Sequence, residues 1–166
     1  MARGGLFLRK LRARVADEPT GFVWVEKGRL AGSGYPASRG QLEWLVGQGI
    51  DSILTLTQDP LPSEWVNGLP LELGHIPMED HSLPDVESLD KGADYVASKL
   101  QAGKTLLVHC LAGEGRTGCT IAAYLIKDRG LSAADALKKL REVKPAFVES
   151  AQEKAVIEYG ARLRHG

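Results

Sequence analysis

The stretch HCLAGEGRTG, residues 109–118, connects two apolar segments of different character. The run TLLV before it is short and apolar, which is typical of a buried β-strand. The segment GRTGCTIAAYLIKDRG that begins at Gly115 is long and apolar and predicts a helix closed by Gly130. Gly113, Gly115 and Gly118 let the backbone turn tightly between them. The stretch therefore predicts a strand, a tight loop and a helix.

The remaining chain alternates between strand and helix patterns, and then ends in helices. This order predicts an α/β fold in which helices flank a central, mainly parallel sheet of about five strands, with residues 21–166 as one domain. In such sheets, sites form at the carboxyl ends of strands, where HCLAGEGRTG lies. We predict strands at residues 22–25, 29–31, 52–57 and 71–77, and helices at residues 39–49, 85–103, 133–144 and 147–164.

Residues 1–20 form a separate basic segment, predicted to be a helix or an extension. Its partly helical apolar spacing favours docking on the domain, and contact with a membrane surface or an anionic partner is the alternative. Its basic side chains are Arg3, Arg9, Lys10, Arg12 and Arg14.

Composition excludes several classes of protein. Lys plus Arg and Asp plus Glu each number 21, and this neutral balance argues against a nucleic-acid binder. No apolar run approaches the roughly 20 residues that span a bilayer, and charges interrupt any secretory leader. Two cysteines are too few for a disulfide scaffold, which favours a reduced, cytoplasmic setting. We expect no metal or other cofactor, since His75 and His81 lack further metal ligands nearby. We also expect a monomer.

Cys110 and Arg116 make the loop a candidate site for phosphate chemistry. Loop N–H groups and the positive end of the following helix form an anion cradle, and they favour the thiolate form of Cys110. The guanidinium of Arg116 can hold two phosphate oxygens while the thiolate attacks phosphorus. The Thr117 hydroxyl can donate to the cysteine sulfur when it departs as a thiolate. A lone cysteine would be interpreted as a core residue, but the combination with the glycines and the arginine favours catalysis.

HCLAGEGRTG resembles the protein tyrosine phosphatase signature His-Cys-x-x-Gly-x-x-Arg-[Ser/Thr]-Gly. Together with GHIPMED (residues 74–80) and VESAQEKAV (residues 148–156), it is similar to the small atypical dual-specificity phosphatases, the VHZ-like group with its archaeal relatives. The resemblance implies a cysteine-dependent phosphatase fold without metal. It also implies hydrolysis of phosphotyrosine in proteins, with variable activity on phosphoserine and phosphothreonine. The chain has little room for the loop that makes larger relatives tyrosine-specific.

The leaving oxygen needs a proton from a carboxylic acid on a separate loop. The candidates are Asp59, Glu79, Asp80 and Asp85. The resemblance assigns Asp80, because IPMEDHSLPD matches the acid loop of the family, and Asp85 and Glu79 remain alternatives.

Further residues have predicted supporting roles. His109 should orient the loop and support the thiolate by hydrogen bonding. By resemblance to larger phosphatases, Gln152 positions the hydrolytic water; the alternative is an exposed glutamine at a helix start. Cys119 is either a core residue or a redox partner of Cys110. The positions predicted to bind substrate are Leu111, Ala112, Gly113, Glu114, Gly115 and Arg116.

Two other functions remain open. One is a phosphoinositide or inositol phosphate phosphatase, against which an acidic Glu114 at the mouth of the pocket argues, since it would repel a multiply phosphorylated ligand. The other is a phosphate-binding module without turnover. Such modules usually lack the cysteine, the arginine or the acid, and all three have candidates here.

Overall fold

The structure, a computed structural model, describes residues 17–166. The predicted basic segment at residues 1–20 lies almost entirely outside the described residues and stays a prediction.

Five strands form one sheet with the order β1-β2-β5-β3-β4. β1 pairs antiparallel with β2, and the other pairings are parallel. The α/β prediction with a mainly parallel sheet is thus confirmed. The central β5 ends at His109, which is in register with Ser33 on one side and Thr55 on the other. The strands are β1 Val23–Glu26, β2 Leu30–Ser33, β3 Ser52–Thr55, β4 Glu72–His75 and β5 Leu106–His109.

Six helices in the described residues surround this sheet, and side-chain caps begin three of them. The side chains of Ser38, Asp85 and Ser132 accept hydrogen bonds from backbone N–H groups three residues later, which satisfies a helix donor in each case. The helices are α1 Arg39–Gly47, α2 Ser63–Val66, α3 Val86–Gln101, α4 Gly115–Lys127, α5 Ala133–Val143 and α6 Glu153–His165. None of these helices is long and apolar enough to span a bilayer.

Alternation along the strands divides the core into two layers. Leu106 and Val108 of β5 face α3–α6, whereas Leu107 between them packs with α1. Both sides of the central strand are therefore covered, and its four residues are all buried. A continuous apolar run in the sequence is the expected pattern for such a strand.

The predicted last helix begins later than expected. The sequence predicts its start at Phe147, but α6 begins at Glu153. Phe147 is instead a fully buried core residue beside Gly32, and Val148 has a φ of 59°, which a helix cannot contain. The Val148 N–H donates to the Glu114 carbonyl at 3.2 Å, so this turn packs against the loop after β5.

Candidate functional site

Residues 110–116, here called the Cys110–Arg116 loop, connect β5 to α4. Four carbonyl groups at residues 110–114 of the loop accept hydrogen bonds from surrounding groups. They are Cys110 O from His109 Nδ1 at 3.2 Å, Leu111 O from Tyr35 N at 3.0 Å, Gly113 O from Lys144 Nζ at 3.1 Å, and Glu114 O from Gly118 N at 3.0 Å and Val148 N at 3.2 Å. These partners come from four segments of the chain, namely β5, the residues after β2, α4 and the turn after α5, so the loop is fixed from its outer side.

The N–H groups of the same peptides point the opposite way. In a trans peptide, C=O and N–H are antiparallel, so four anchored carbonyls direct the N–H groups of the following residues inward. Among the described residues, the N–H groups of residues 111–117 donate to no backbone carbonyl or side chain. The positive end of the 13-residue helix α4 begins at the same place. The loop therefore offers a row of free donors, which suits an anion.

Two glycines allow this close packing. Gly113 has a φ of 74°, and a Cβ there would collide with the backbone of Ser33 and Gly34. A Cβ at Gly115 would collide with the side-chain amide of Gln152. The glycines predicted from the sequence to shape the loop are thus required by its neighbours as well as by its turn.

Cys110 begins the loop with a buried side chain that is 2% exposed. The Thr117 hydroxyl lies 3.1 Å from its sulfur and donates a hydrogen bond to it. Thr117 belongs to the first turn of α4, so the helix start carries both the free N–H groups and this hydroxyl. The structure therefore brings the predicted nucleophile and the predicted hydroxyl donor into contact.

His109 is fully buried behind the cysteine and makes two hydrogen bonds. Nδ1 donates to the carbonyl of Cys110, and Nε2 accepts from the Thr55 hydroxyl at 2.8 Å. Burial lowers the pKa of His109 to about 4, so the ring is neutral and its single proton serves the carbonyl. The predicted orienting role fits this geometry, but the predicted hydrogen bond to the thiolate is wrong, because both ring nitrogens are engaged elsewhere.

Arg116 connects the loop to the segment after β4. Its buried guanidinium donates to Met78 O at 3.1 Å through Nη1 and pairs with Asp80 Oδ1 at 3.1 Å through Nη2. His81 has a φ of 58°, and its N–H donates to the same Asp80 oxygen at 3.0 Å. Asp80 is thereby held over the Cys110–Arg116 loop with 43% of its side chain exposed.

The other candidate acids lie away from Cys110. Asp85 caps α3 and accepts from the Ser88 N–H at 2.8 Å, a hydrogen bond that lowers the pKa of Asp85. A carboxylate held ionised in a cap is poorly suited to donate a proton. Glu79 and Asp59 are exposed and do not line the cavity at Cys110. Of the four acids predicted from the sequence, Asp80 alone reaches the cavity.

The cavity in front of Cys110 is small, about 100 Å³. Pockets that enclose a whole small ligand are typically about 300–1,000 Å³, so this one suits a single small group. Four of the predicted substrate-binding positions line it, but Gly113 and Glu114 do not. The lining residues are Asp80, His81, Cys110, Leu111, Ala112, Gly115, Arg116, Glu149 and Gln152.

The prediction that Glu114 lies at the mouth is wrong. Its side chain lines a neighbouring depression with Arg141 and Glu153, because the residue immediately precedes α4 and turns away from the cavity. Glu149 lines both the cavity and that depression, and it is the acid that the sequence left unnoticed. Its position in VESAQEKAV, three residues before Gln152, is the one signal that pointed to it.

Gln152 is 8% exposed, so the alternative of an exposed glutamine is wrong. Its Oε1 is buried and has no hydrogen-bond partner among the described residues. Because Gln152 lines the cavity, its amide can form a hydrogen bond with a water molecule or a substrate group that enters there.

Cys119 is fully buried on α4, with its sulfur 3.9 Å from the Gln152 carbonyl. Burial raises the pKa of Cys119 to about 12, which keeps it as a thiol and favours the core role over the redox role.

In residues 17–166, no group of three His, Cys, Asp or Glu side chains could hold a metal ion.

Comparison with known proteins identifies the family of this chain. Residues 19–157 match the family described as "Swiss Army Knife protein, DSP-PTPase phosphatase domain". The crystal structure of Tk-PTP in the active form superimposes with a TM-score of 0.75 at 31% sequence identity, over 85% of this chain and 97% of that one.

Two curated relatives match shorter parts of their own chains. The phosphatidylglycerophosphate phosphatase PTPMT2 of Arabidopsis thaliana is 26% identical over 70% of this chain and 53% of its own length. The dual specificity protein phosphatase Mpk3 of Drosophila melanogaster is 33% identical over 62% of this chain and 25% of its own length. The family match covers most of the chain. This chain therefore belongs to the DSP-PTPase family of phosphatase domains, among the atypical dual-specificity phosphatases of the protein tyrosine phosphatase superfamily.

Proposed function

We propose that this protein is a cysteine-dependent phosphatase that hydrolyses phosphotyrosine, and also phosphoserine and phosphothreonine, in protein substrates. The observation that carries the proposal is the set of N–H groups at residues 111–117, which have no partner among the described residues and belong to the same loop as the Cys110 sulfur and the Arg116 guanidinium. A phosphoryl group placed there has donors for its oxygens and a nucleophile facing its phosphorus.

In the first step, the Cys110 thiolate attacks phosphorus and the ester P–O bond breaks. The loop N–H groups and Arg116 hold the charge on the three equatorial oxygens. Asp80 gives its proton to the leaving oxygen, so that an alcohol or phenol departs. In the free protein Asp80 is paired with Arg116, and an incoming phosphate dianion takes over that guanidinium and releases the Asp80 side chain toward the leaving oxygen.

In the second step, water attacks the cysteinyl-phosphate and the S–P bond breaks. Asp80, now a carboxylate, accepts the proton of the water as phosphate forms. The Thr117 hydroxyl, 3.1 Å from the sulfur, stabilises the departing thiolate. The unpartnered Oε1 of Gln152 accepts a hydrogen bond from the attacking water. Every group in the two steps belongs to this chain, to the substrate or to water.

Protein substrates fit the dimensions and charge of the cavity. At about 100 Å³ it holds the phosphoryl group and leaves the rest of the substrate at the surface. Glu149 at its edge disfavours a ligand that carries several phosphates. The relationship to Mpk3, whose name describes a dual specificity protein phosphatase, supports the same substrate class. A reactive thiol requires a reducing compartment, so we place the activity in the cytoplasm. We further propose that the protein acts as a monomer.

A phosphomonoester in a lipid headgroup is the second candidate substrate. The observation in its favour is the 26% identity to PTPMT2, whose name describes a phosphatidylglycerophosphate phosphatase. Parallel assays on a phosphotyrosine peptide and on phosphatidylglycerophosphate in detergent micelles separate the two substrates. We expect a higher kcat/KM for the peptide, and the reverse order would favour the lipid.

The reaction type is tested by Cys110→Ser, with hydrolysis of an aryl phosphate as the assay. We expect no turnover, while the affinity for inorganic phosphate, measured by titration calorimetry, is retained because the loop donors remain. Cys119→Ala is the matched control, since it removes the other thiol from a position that faces the core, and it should retain turnover.

The same experiment separates an enzyme from a binding module. Phosphate binding without turnover in the wild-type protein would identify a module. Full turnover in Cys110→Ser would refute the cysteinyl-phosphate mechanism.

A further inference from the structure

Lys144 lies directly after α5, and its half-buried side chain reaches the Cys110–Arg116 loop. Its ammonium donates to Gly113 O at 3.1 Å and to Gly21 O at 3.3 Å. It also lies 5.4 Å from the centre of the Phe147 ring, a cation–π contact that keeps the amine near the loop. One cation thus connects the loop, the segment before β1 and the turn that follows α5.

The Gly113 carbonyl differs from the other anchored carbonyls of the loop. Those of Leu111 and Glu114 accept from backbone N–H groups, and that of Cys110 accepts from the adjacent His109. The Gly113 carbonyl accepts from a charged side chain 31 residues away in sequence. Its orientation therefore depends on a group that can be removed without changing the backbone.

The orientation of this peptide determines one of the inward donors. With Gly113 O held outward, the N–H of Glu114 in the same peptide plane points inward. The cation at the oxygen also polarises the peptide, which strengthens the N–H as a donor to an anion. Gly113 itself has a φ of 74° and no free space toward Ser33 and Gly34. The peptide is thus confined on one side by packing and fixed on the other by Lys144.

We propose that Lys144 is a positioning residue of the phosphatase, which holds the Gly113–Glu114 peptide with its N–H directed at the bound phosphoryl group. The proposal rests on the function proposed above, because it assigns to Lys144 a part in binding the anion that Cys110 attacks. Lys144 acts through the loop and does not itself line the cavity.

The test compares Lys144→Met, Lys144→Arg and the control Lys138→Met, in which an exposed lysine of α5 is replaced. Methionine retains the apolar stem over Phe147 and removes the charge. We expect Lys144→Met to bind inorganic phosphate about tenfold more weakly in titration calorimetry, the loss typical of one charge-assisted hydrogen bond. Its kcat/KM for an aryl phosphate should fall at least as far. Arginine retains a donor cation and should recover most of both, and Lys138→Met should match the wild type.

Thermal unfolding of each variant separates positioning from folding. A midpoint for Lys144→Met close to that of Lys144→Arg, with a large difference in phosphate affinity, supports the proposal. Wild-type phosphate affinity in Lys144→Met would overturn the proposal. Equal losses of phosphate affinity and of stability in Lys144→Met and Lys144→Arg would also overturn it. If the wild type binds phosphate without hydrolysing it, the proposed function fails, while the difference in affinity still decides the role of Lys144. A wild type that does not bind phosphate overturns both.

Discussion

Replacing Asp80 by asparagine tests the mechanism most directly. Asparagine has the same shape, and its amide oxygen can still accept from Arg116 Nη2, which is 3.1 Å from Asp80 Oδ1. Because 43% of the Asp80 side chain is exposed, the lost ion pair should change the free energy of unfolding by less than about 1 kcal/mol. The loop, the cysteine and the cavity should therefore remain intact, and the change removes the proton that the leaving oxygen needs.

The expected loss follows from the role of the proton. A positioned general acid contributes about 10²–10⁴-fold, or about 3–5 kcal/mol of barrier. The assay is kcat/KM, which reports on the first step and not on the common hydrolysis of the cysteinyl-phosphate, with two aryl phosphates, phenyl phosphate and 4-nitrophenyl phosphate. Phenoxide is the poorer leaving group and needs the proton more, so Asp80→Asn should lose more activity on phenyl phosphate than on the nitrophenyl ester.

Asp85→Asn is the matched control. It makes the same chemical change in the aspartate that caps α3, and asparagine is also a good helix cap, so activity should be retained. Two results would refute the assignment of Asp80. One is full activity in Asp80→Asn together with a loss in Asp85→Asn. The other is an equal loss on both aryl phosphates, which would mean that Asp80 contributes to binding and not to proton transfer.

Two further predictions concern groups that support the loop. Gly115→Ala places a Cβ against the Gln152 amide, so we expect weaker phosphate binding and slower turnover. The double variant Gly115→Ala/Gln152→Ala should bind phosphate better than Gly115→Ala, because the shorter side chain at position 152 makes room for the Cβ. Equal phosphate affinity in the single and double variants would mean that the clash is not the cause. His109 has a pKa of about 4 when folded and an ordinary value of 6.5, so between these pH values the unfolded chain binds a proton that the folded chain does not. The free energy of unfolding should therefore decrease by about 2 kcal/mol from pH 7 to pH 5 through this group. In urea unfolding, His109→Asn should lack this decrease and keep only the pH dependence that comes from the carboxylates. Equal pH dependence of unfolding in the wild type and in His109→Asn would contradict the prediction.

The central strand, loop and helix could be predicted from sequence because local rules determine them. Residues 106–108 (LLV) are apolar since β5 is covered on both sides, and the glycines at 113 and 115 stand where a Cβ would collide. Asp80 was also identified, through the resemblance of IPMEDHSLPD to an acid loop, and its pairing with Arg116 agrees with that assignment.

The segment 147–152 could not be predicted in the same way. Its composition permits a helix, but tertiary contacts prevail: Phe147 is buried beside Gly32, and Val148 adopts a φ of 59° to donate to Glu114 O. The positions of Glu114 and Glu149 depend on this turn, since it determines which carboxylate faces the cavity. A sequence pattern states which residues are adjacent along the chain, but not which side of a loop each side chain occupies.

The catalytic competence of the Cys110–Arg116 loop therefore depends on residues outside its own motif. The motif supplies the N–H donors, but their direction is set by hydrogen bonds to the carbonyls behind them, from Tyr35, Val148 and Lys144. These partners lie far apart in sequence and converge only when β2, α5 and the turn after α5 pack around β5. A chain that kept HCLAGEGRTG but lost these partners would retain a thiol and an arginine without a fixed anion site. Preorganised donors are usually the largest single contribution to catalysis of this kind, so the residues that orient the loop are as necessary for the expected activity as the motif itself.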